Sequence, residues 1–306
     1  MAVDLPYRDL NSYLKGRFGE RIQKITLDAG LTCPNRDGRV STGGCLYCNA
    51  RGSGTGAWDR GQDLPAQIAA GLEGMTRRYG ARRFIAYFQS FSNTYAPLAR
   101  LRELYEAALA WPQVVGLSIG TRPDCLADEV LDLLAGYARD RLIWLELGLQ
   151  SAHDATLARI NRGHDVACFT EAASRAAARG LPVVAHVILG LPGEGPREMT
   201  ATAAYLARLP LQGVKIHLLY VIKDSALARL HGDGRYVCLT EDQYVNLVVD
   251  FIERLPPHLV IHRLTGDPHP EELVAPAWCL DKFRVLQRIR EEFARRGTRQ
   301  GSRWEG

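Results

Sequence analysis

Apolar positions along this chain follow two alternating rhythms. Near the start, Leu10, Tyr13, Leu14 and Phe18 fall on one face of a helix. Arg21 to Ala29 then reads as a strand, Leu64 to Tyr79 as a helix and Arg83 to Gln89 as a strand. The alternation continues with helix Pro97 to Ala110, strand Val114 to Gly120, helix Leu126 to Ala138 and strand Leu142 to Gln150. Pro97 suits the first turn of its helix. Helix Asp165 to Arg179, closed by Gly180, precedes strand Pro182 to Leu191, helix Arg197 to Leu209 and strand Val214 to Val221. Helix Glu241 to Arg254, strand His258 to Leu264 and helix Leu280 to Arg296 finish the pattern. Strands alternating with helices of this length mean βαβ units and a parallel sheet. Six or seven such units in succession favour a barrel, complete or incomplete, over a doubly wound open sheet. Reactive groups in such a fold gather on the loops after the strands.

Strands buried on both faces read as continuous apolar runs; several here do not. Glu146, Gly148 and Gln150 share one face of their strand, and Ser118, Gly120 and Arg122 share one face of another. His186 and Gly190 are in phase, as are Lys215 and His217, and Gln89 closes the second strand. Burying a carboxylate such as Glu146 costs several kcal/mol without a partner. The set points to a lumen that holds a polar ligand; the other reading is a satisfied internal network, for example Glu146 with Arg122.

Composition limits the classes. The 306 residues are 46% hydrophobic, ample for a core. No apolar run reaches bilayer length and the N-terminus from Met1 to Arg17 is polar, so a cytoplasmic protein without membrane insertion is expected. Seven cysteines, an odd number, argue against a disulfide framework.

Three of them stand out. Cys45 and Cys48 form a Cys-x-x-Cys pair, and Cys33 lies eleven intervening residues upstream in a loop rich in Gly and Asp. Thiolates select iron–sulfur clusters and zinc. No fourth Cys or His lies nearby in sequence, and three ligands leave one metal position open for reaction. The alternative is a redox pair with a stray core cysteine. The loop follows the first strand, at the reactive end of a barrel.

With these features the sequence resembles the radical S-adenosylmethionine (SAM) superfamily, and within it the Elongator-subunit-like group. The likeness rests on Ile119-Gly120-Thr121-Arg122-Pro123-Asp124, Leu145-Glu146-Leu147-Gly148-Leu149-Gln150-Ser151, Asn161-Arg162-Gly163-His164 and Leu189-Gly190-Leu191-Pro192-Gly193-Glu194. It is similar to a small bacterial family that shares Cys33-Pro34-Asn35-Arg36-Asp37-Gly38, the long gap to Gly43-Gly44-Cys45, and Ser92-Asn93-Thr94-Tyr95. The likeness runs over roughly residues 20 to 296. Two features depart from the superfamily pattern: three residues commonly separate the first two cysteines, and Gly-Gly-Glu commonly follows the second strand where Gln89 to Asn93 stands here.

The resemblance implies an α/β fold, a partial (β/α)6 barrel over 21–223, with an N-terminal helical segment (1–20) and a strand-and-helix extension (224–306) packed on it. It implies that Cys33, Cys45 and Cys48 hold a [4Fe-4S] cluster that cleaves SAM to a 5′-deoxyadenosyl radical. Tyr47, Gln89 and Asn93 are expected near SAM, Ser118, Arg122, Glu146 and Gln150 at its methionine and ribose, and Gly190 beside the adenine. His217 and Lys223 are candidates for the substrate side, a solvated Lys223 being the alternative. The expected substrate is tRNA at a wobble uridine, with a small metabolite or a protein as the alternative and a non-catalytic metal-stabilised module as a third reading. An electron donor such as flavodoxin or ferredoxin is implied as partner.

Weaker signals remain. Gly52-Ser53-Gly54-Thr55-Gly56 lacks the Lys-Ser/Thr ending of a phosphate loop and reads as flexible backbone near the cofactor. Cys125, Cys168, Cys238 and Cys279 are scattered, and most of them read as small buried hydrophobes. Arg77, Arg78, Arg82, Arg83 and the basic terminal helix fit either a phosphate backbone or solvated surface.

Overall fold

A computed structural model describes residues 5–52, 54 and 56–306; Ser53 and Thr55 of the glycine-rich loop lie outside them. Helix α1 (Leu10–Phe18) leads into β1 (Ile22–Leu27), followed by α2 (Leu64–Tyr79), β2 (Arg83–Phe88), α3 (Leu98–Leu109) and β3 (Val114–Thr121). Then come α4 (Asp128–Ala138), β4 (Leu142–Gln150), α5 (Asp154–Arg159), α6 (Val166–Ala178), β5 (Val183–Leu189), α7 (Pro196–Leu206) and β6 (Gly213–Leu218). The chain continues through β7 (Val221–Ile222), α8 (Ala226–Gly232), α9 (Glu241–Glu253), β8 (Val260–Arg263), β9 (Leu273–Ala275) and α10 (Lys282–Arg296).

Seven parallel strands pair in the order β1-β2-β3-β4-β5-β6-β8 and curl into a half-barrel. The segment after residue 223 therefore does more than pack on the barrel: it supplies the last strand, β8, paired in parallel with β6. The strand read from sequence as Val214 to Val221 divides in two. β6 stops at Leu218, and β7 turns away to pair antiparallel with β9. Pro97 sits one place earlier than expected, as the cap residue ahead of α3.

Alternation along each strand separates two environments. Residues such as Leu117, Leu145, Val187 and Ile216 face outward into a continuous core under the helices. The inward side is closed at its lower end by Ile22, Ile85, Leu142, Trp144 and Val184, packed with Leu14, Tyr13 and Phe18 of α1. Tyr13 lies 5.9 Å from Trp144, and His262 of β8 stacks edge-on to Trp144 at 4.5 Å, measured between ring centroids. Helix α1 packs on both β1 and β8, which are not paired with each other. Its apolar stripe plugs the open barrel. No described helix is long and apolar enough to cross a membrane.

Candidate active site: a cysteine-lined cavity over a charged barrel floor

Above the apolar plug the inward residues turn polar. Lys24, Tyr87, Ser118, Glu146, His186 and Lys215 come from five neighbouring strands and β6, and converge on one carboxylate. Lys24 donates from Nζ to Glu146 Oε1 at 2.5 Å, and Lys215 donates to Oε2 at 2.9 Å. His186 Nε2 lies 2.6 Å from Oε2, and the Ser118 hydroxyl donates to Oε1. Lys215 also donates to the Tyr87 hydroxyl at 2.7 Å. Glu146 is fully buried; burial opposes its charge, but Lys215, Lys24 and His186 hold its carboxyl well below the usual range. Burial pushes Lys215 down to about 7, against the pull of Glu146. Burial and the neighbouring Lys215 hold His186 down to about 4.

The satisfied network foreseen as an alternative exists, with different partners. Arg122 does not reach Glu146; its guanidinium forks onto Asp124 at 2.8 and 2.7 Å and donates to the Arg162 carbonyl at 2.7 Å. The pleat explains this, because Arg122 follows the end of β3 and lies above the level of Glu146, which pairs with Gly120.

A cavity of about 620 Å³ opens at the C-terminal ends of the strands. Its floor includes Tyr87, Glu146, His186, Lys215 and His217, and its upper wall includes Cys33, Cys45, Tyr47 and Cys48. Such a volume suits a bound small molecule or cofactor.

The cysteine loop is held by a distant segment. Gly43 and Gly44 adopt φ of 80° and 77°, a conformation that costs a side-chain-bearing residue. Leu46 N–H donates to the Ile160 carbonyl at 2.9 Å, and Asn161 Nδ2 donates to the Gly44 carbonyl at 2.8 Å. Asn35 Nδ2 returns a bond to the Asn161 carbonyl at 2.5 Å. Within the loop, Cys48 N–H donates to the Cys45 carbonyl at 2.9 Å. Cys45 is buried, yet its thiol is held well below the usual range by Cys48 and by the Arg162 guanidinium. The same contact and burial hold the Cys48 thiol well above its usual range, so Cys45 is the thiolate of the pair, the form that binds metal.

Among the described residues, no three His, Cys, Asp or Glu side chains converge on a single-ion site. Cys33, Cys45 and Cys48 line one cavity, and in a cluster each thiolate takes a different iron. The Cys33, Cys45 and Cys48 set, its shared cavity wall and the thiolate bias of Cys45 all suit a [4Fe-4S] group.

Other expected residues divide. Gln89, Arg122, Glu146, Gln150 and His217 line the cavity, as does Tyr47. Ser118 is fully buried beneath it, bonded to Lys24 and Glu146. Asn93 is buried behind the wall, donating from Nδ2 to the Gly120 carbonyl at 2.8 Å. Gly190 faces the other way: a Cβ there would meet Leu239 at 3.1 Å, and its carbonyl accepts from the Tyr236 hydroxyl at 3.0 Å. Lys223 is exposed, outside the lining residues, its backbone N–H bonded to the Glu272 carbonyl at 2.8 Å. The reason is the break after Leu218, which takes the chain off the barrel before Lys223.

The terminal helix carries fewer free charges than its composition implies. Arg284 and Arg288 pair with Glu241 at 2.9 and 3.3 Å, Lys282 with Asp267 at 3.1 Å, and Arg295 and Arg296 with Glu292 at 2.7 and 2.6 Å.

Curled parallel strands, a three-cysteine loop after β1 and a polar lumen define a radical SAM protein. The description "Radical SAM superfamily" matches residues 36–206 and "Radical_SAM C-terminal domain" matches residues 211–295. The chain belongs to the radical SAM superfamily. It is 43% identical over 295 residues to the Bacillus subtilis protein YtqA, covering 96% of this chain and 92% of that one. It is 32% identical over 156 residues to Elongator complex protein 3 of Schizosaccharomyces pombe, covering 50% of this chain and 28% of that one. The solved archaeal Methanocaldococcus infernus Elp3, lacking residues 1–46, shares the fold at a TM-score of 0.66 and 16% identity, over 91% of this chain and 64% of that chain. The protein is a radical SAM enzyme whose cofactors are a [4Fe-4S] cluster and SAM.

Proposed function

We propose that this enzyme acts on tRNA at a wobble uridine, in the cytoplasm, with flavodoxin or ferredoxin as its electron donor. When bound, the cluster and SAM supply one-electron cleavage of a sulfur–carbon bond and a radical able to abstract hydrogen. The chain's residues do the rest. Cys33, Cys45 and Cys48 hold the cluster, and Tyr47, Gln89, Arg122 and Gln150 line the volume beside it. The buried Glu146 network keeps the floor rigid and polar, so that a substrate entering from the mouth meets fixed dipoles rather than water.

The observation that carries the substrate class is the charge of the cavity wall. Seven cationic side chains (Arg36, Arg51, Arg60, Arg122, Arg162, Lys215 and Arg263) line it against three carboxylates (Glu146, Asp267 and Glu272). Four of these cations are ion-paired (Arg51 with Glu272, Arg122 with Asp124, Lys215 with Glu146, Arg263 with Asp267), and the excess of positive charge at the reactive cavity suits a phosphate-bearing substrate. The partial likeness to Elongator complex protein 3 supports the same reading.

The test is a mass-spectrometric nucleoside profile of total tRNA from cells lacking the gene, complemented with wild type or a Cys33/Cys45/Cys48→Ala variant. Loss of one modified uridine, restored by wild type alone, is the expected result. Identical profiles would overturn the tRNA assignment in favour of a metabolite or protein substrate.

A further inference from the structure

Arg162 is 7% exposed and forms no ion pair with a carboxylate among the described residues, an expensive arrangement for a guanidinium. It donates from Nη2 to the Gly148 carbonyl at 2.7 Å, and its Nη1 lies 3.5 Å from the Cys45 sulfur. Asn35 Nδ2 approaches the same sulfur at 3.6 Å. Two donors from separate parts of the chain, one of them cationic, thus converge on one of the three cysteines. Gly148 makes room: a Cβ there would come within 2.5 Å of Arg162 Nη2. The strand interior is left without a side chain where the guanidinium crosses.

We propose that Arg162, assisted by Asn35, is a positioning residue that sets the reduction potential of the cluster through the Cys45 sulfur. Three thiolates outweigh the charge of an oxidised [4Fe-4S] core, and reduction adds one more negative charge. A buried cation bonded to a ligand sulfur favours the reduced form, because hydrogen bonds and nearby charge are the protein's levers on cluster potential. The Cys45 thiolate is in turn the counter-charge that Arg162 lacks elsewhere. The inference rests on the cysteine trio as cluster ligands and is independent of the substrate.

The experiment is an EPR-monitored redox titration of the anaerobically reconstituted enzyme without substrate, with iron and sulfide content determined for each variant. Arg162→Gln is expected to shift the reduced-to-oxidised ratio at fixed potential about tenfold toward oxidised, ~59 mV lower for one electron. Arg162→Lys, which retains charge, is expected to shift less. Gly148→Ala, whose Cβ would come within 2.5 Å of Arg162 Nη2 and 2.6 Å of Gln150 Nε2, moves the guanidinium without removing it and is expected to shift in the same direction as Arg162→Gln. A folded variant that no longer gathers iron overturns the role, since Arg162 then serves to assemble the site rather than to set its potential. Full iron content with an unchanged midpoint in Arg162→Gln overturns it. Where Arg162→Gln does not fold, the same outcome in Gly148→Ala and Asn35→Ser overturns it. Loss of iron in a Cys45→Ala control separates failure of this inference from failure of the ligand assignment.

Discussion

Replacing Glu146 with Gln preserves the shape of the barrel floor and removes its one negative charge. Lys24 and Lys215 would then face each other across a neutral amide, with side chains 17% and 6% exposed. Breaking a buried ion pair by deleting one partner costs about 3–5 kcal/mol, because the remaining charge is left uncompensated. Taking about 2.1 cal/mol/K per residue over 306 residues, the unfolding entropy is about 0.64 kcal/mol/K. The expected loss in Tm is therefore about 5–8 °C, measured by calorimetry or circular dichroism at neutral pH. A second variant tests the cause. Lys215 is the ammonium that burial already pushes down to about 7, so without Glu146 it is driven to give up its proton and loses its charged bond to the carboxylate. Lys215→Met should then be strongly destabilising alone and nearly silent in the Glu146→Gln background, a coupling of about 2 kcal/mol or more in a double-mutant cycle. A Tm within about 2 °C of wild type for Glu146→Gln, or strict additivity of the two changes, would refute the assignment of Glu146 as the electrostatic centre of the barrel.

Three further outcomes are expected of the same barrel. Cys45→Ala should leave the fold intact but abolish both iron incorporation and release of 5′-deoxyadenosine from SAM under reducing anaerobic conditions, read by chromatography and mass spectrometry. His186 is held at about 4 by burial and by Lys215 against an ordinary 6.5, so its contribution is present above pH 6.5 and lost as pH falls toward 4. Stability across that window should drop by about 3 kcal/mol more in wild type than in His186→Asn, followed by denaturant titration at each pH. Gly116→Ala would place a Cβ 2.1 Å from the Leu142 carbonyl oxygen, forcing β3 and β4 apart, and should cost about 3 kcal/mol in urea unfolding.

The strand-and-helix alternation was legible in the sequence because each βα unit buries its own outward face locally. β4 coincides end to end with the Leu142 to Gln150 reading, and α2 with Leu64 to Tyr79. What escaped was shorter or depended on distant pairing. The β7–β9 ribbon has two and three residues per strand, too few for any period to show. The role of β8 as the seventh barrel strand depends on its register against β6, including a shift between Val214 and Lys215. No local pattern encodes that register.

The site shows the same division more sharply. Period two correctly sets Glu146, Gly148, His186, Lys215 and His217 inward, since phase along one strand is a property of that strand alone. Choosing Arg122 as a partner for Glu146 needed something else, namely the relative height of residues on different strands. The pairing of Gly120 with Glu146 puts Arg122 two residues higher, where Asp124 and the Arg162 carbonyl await it. Lys24 was missed because β1 mixes polar and apolar residues without regular alternation, Gln23, Lys24 and Thr26 around Ile25. Arg162 stood in a motif whose presence was visible and whose purpose was not. It meets Cys45 across 117 positions of chain. That contact exists because α5 returns the chain from the end of β4 to the cysteine loop, where Ile160, Asn161 and Arg162 bind successive parts of it. A motif that braces another loop carries no periodic or compositional trace of its target, so its function becomes readable only once the two segments are seen together.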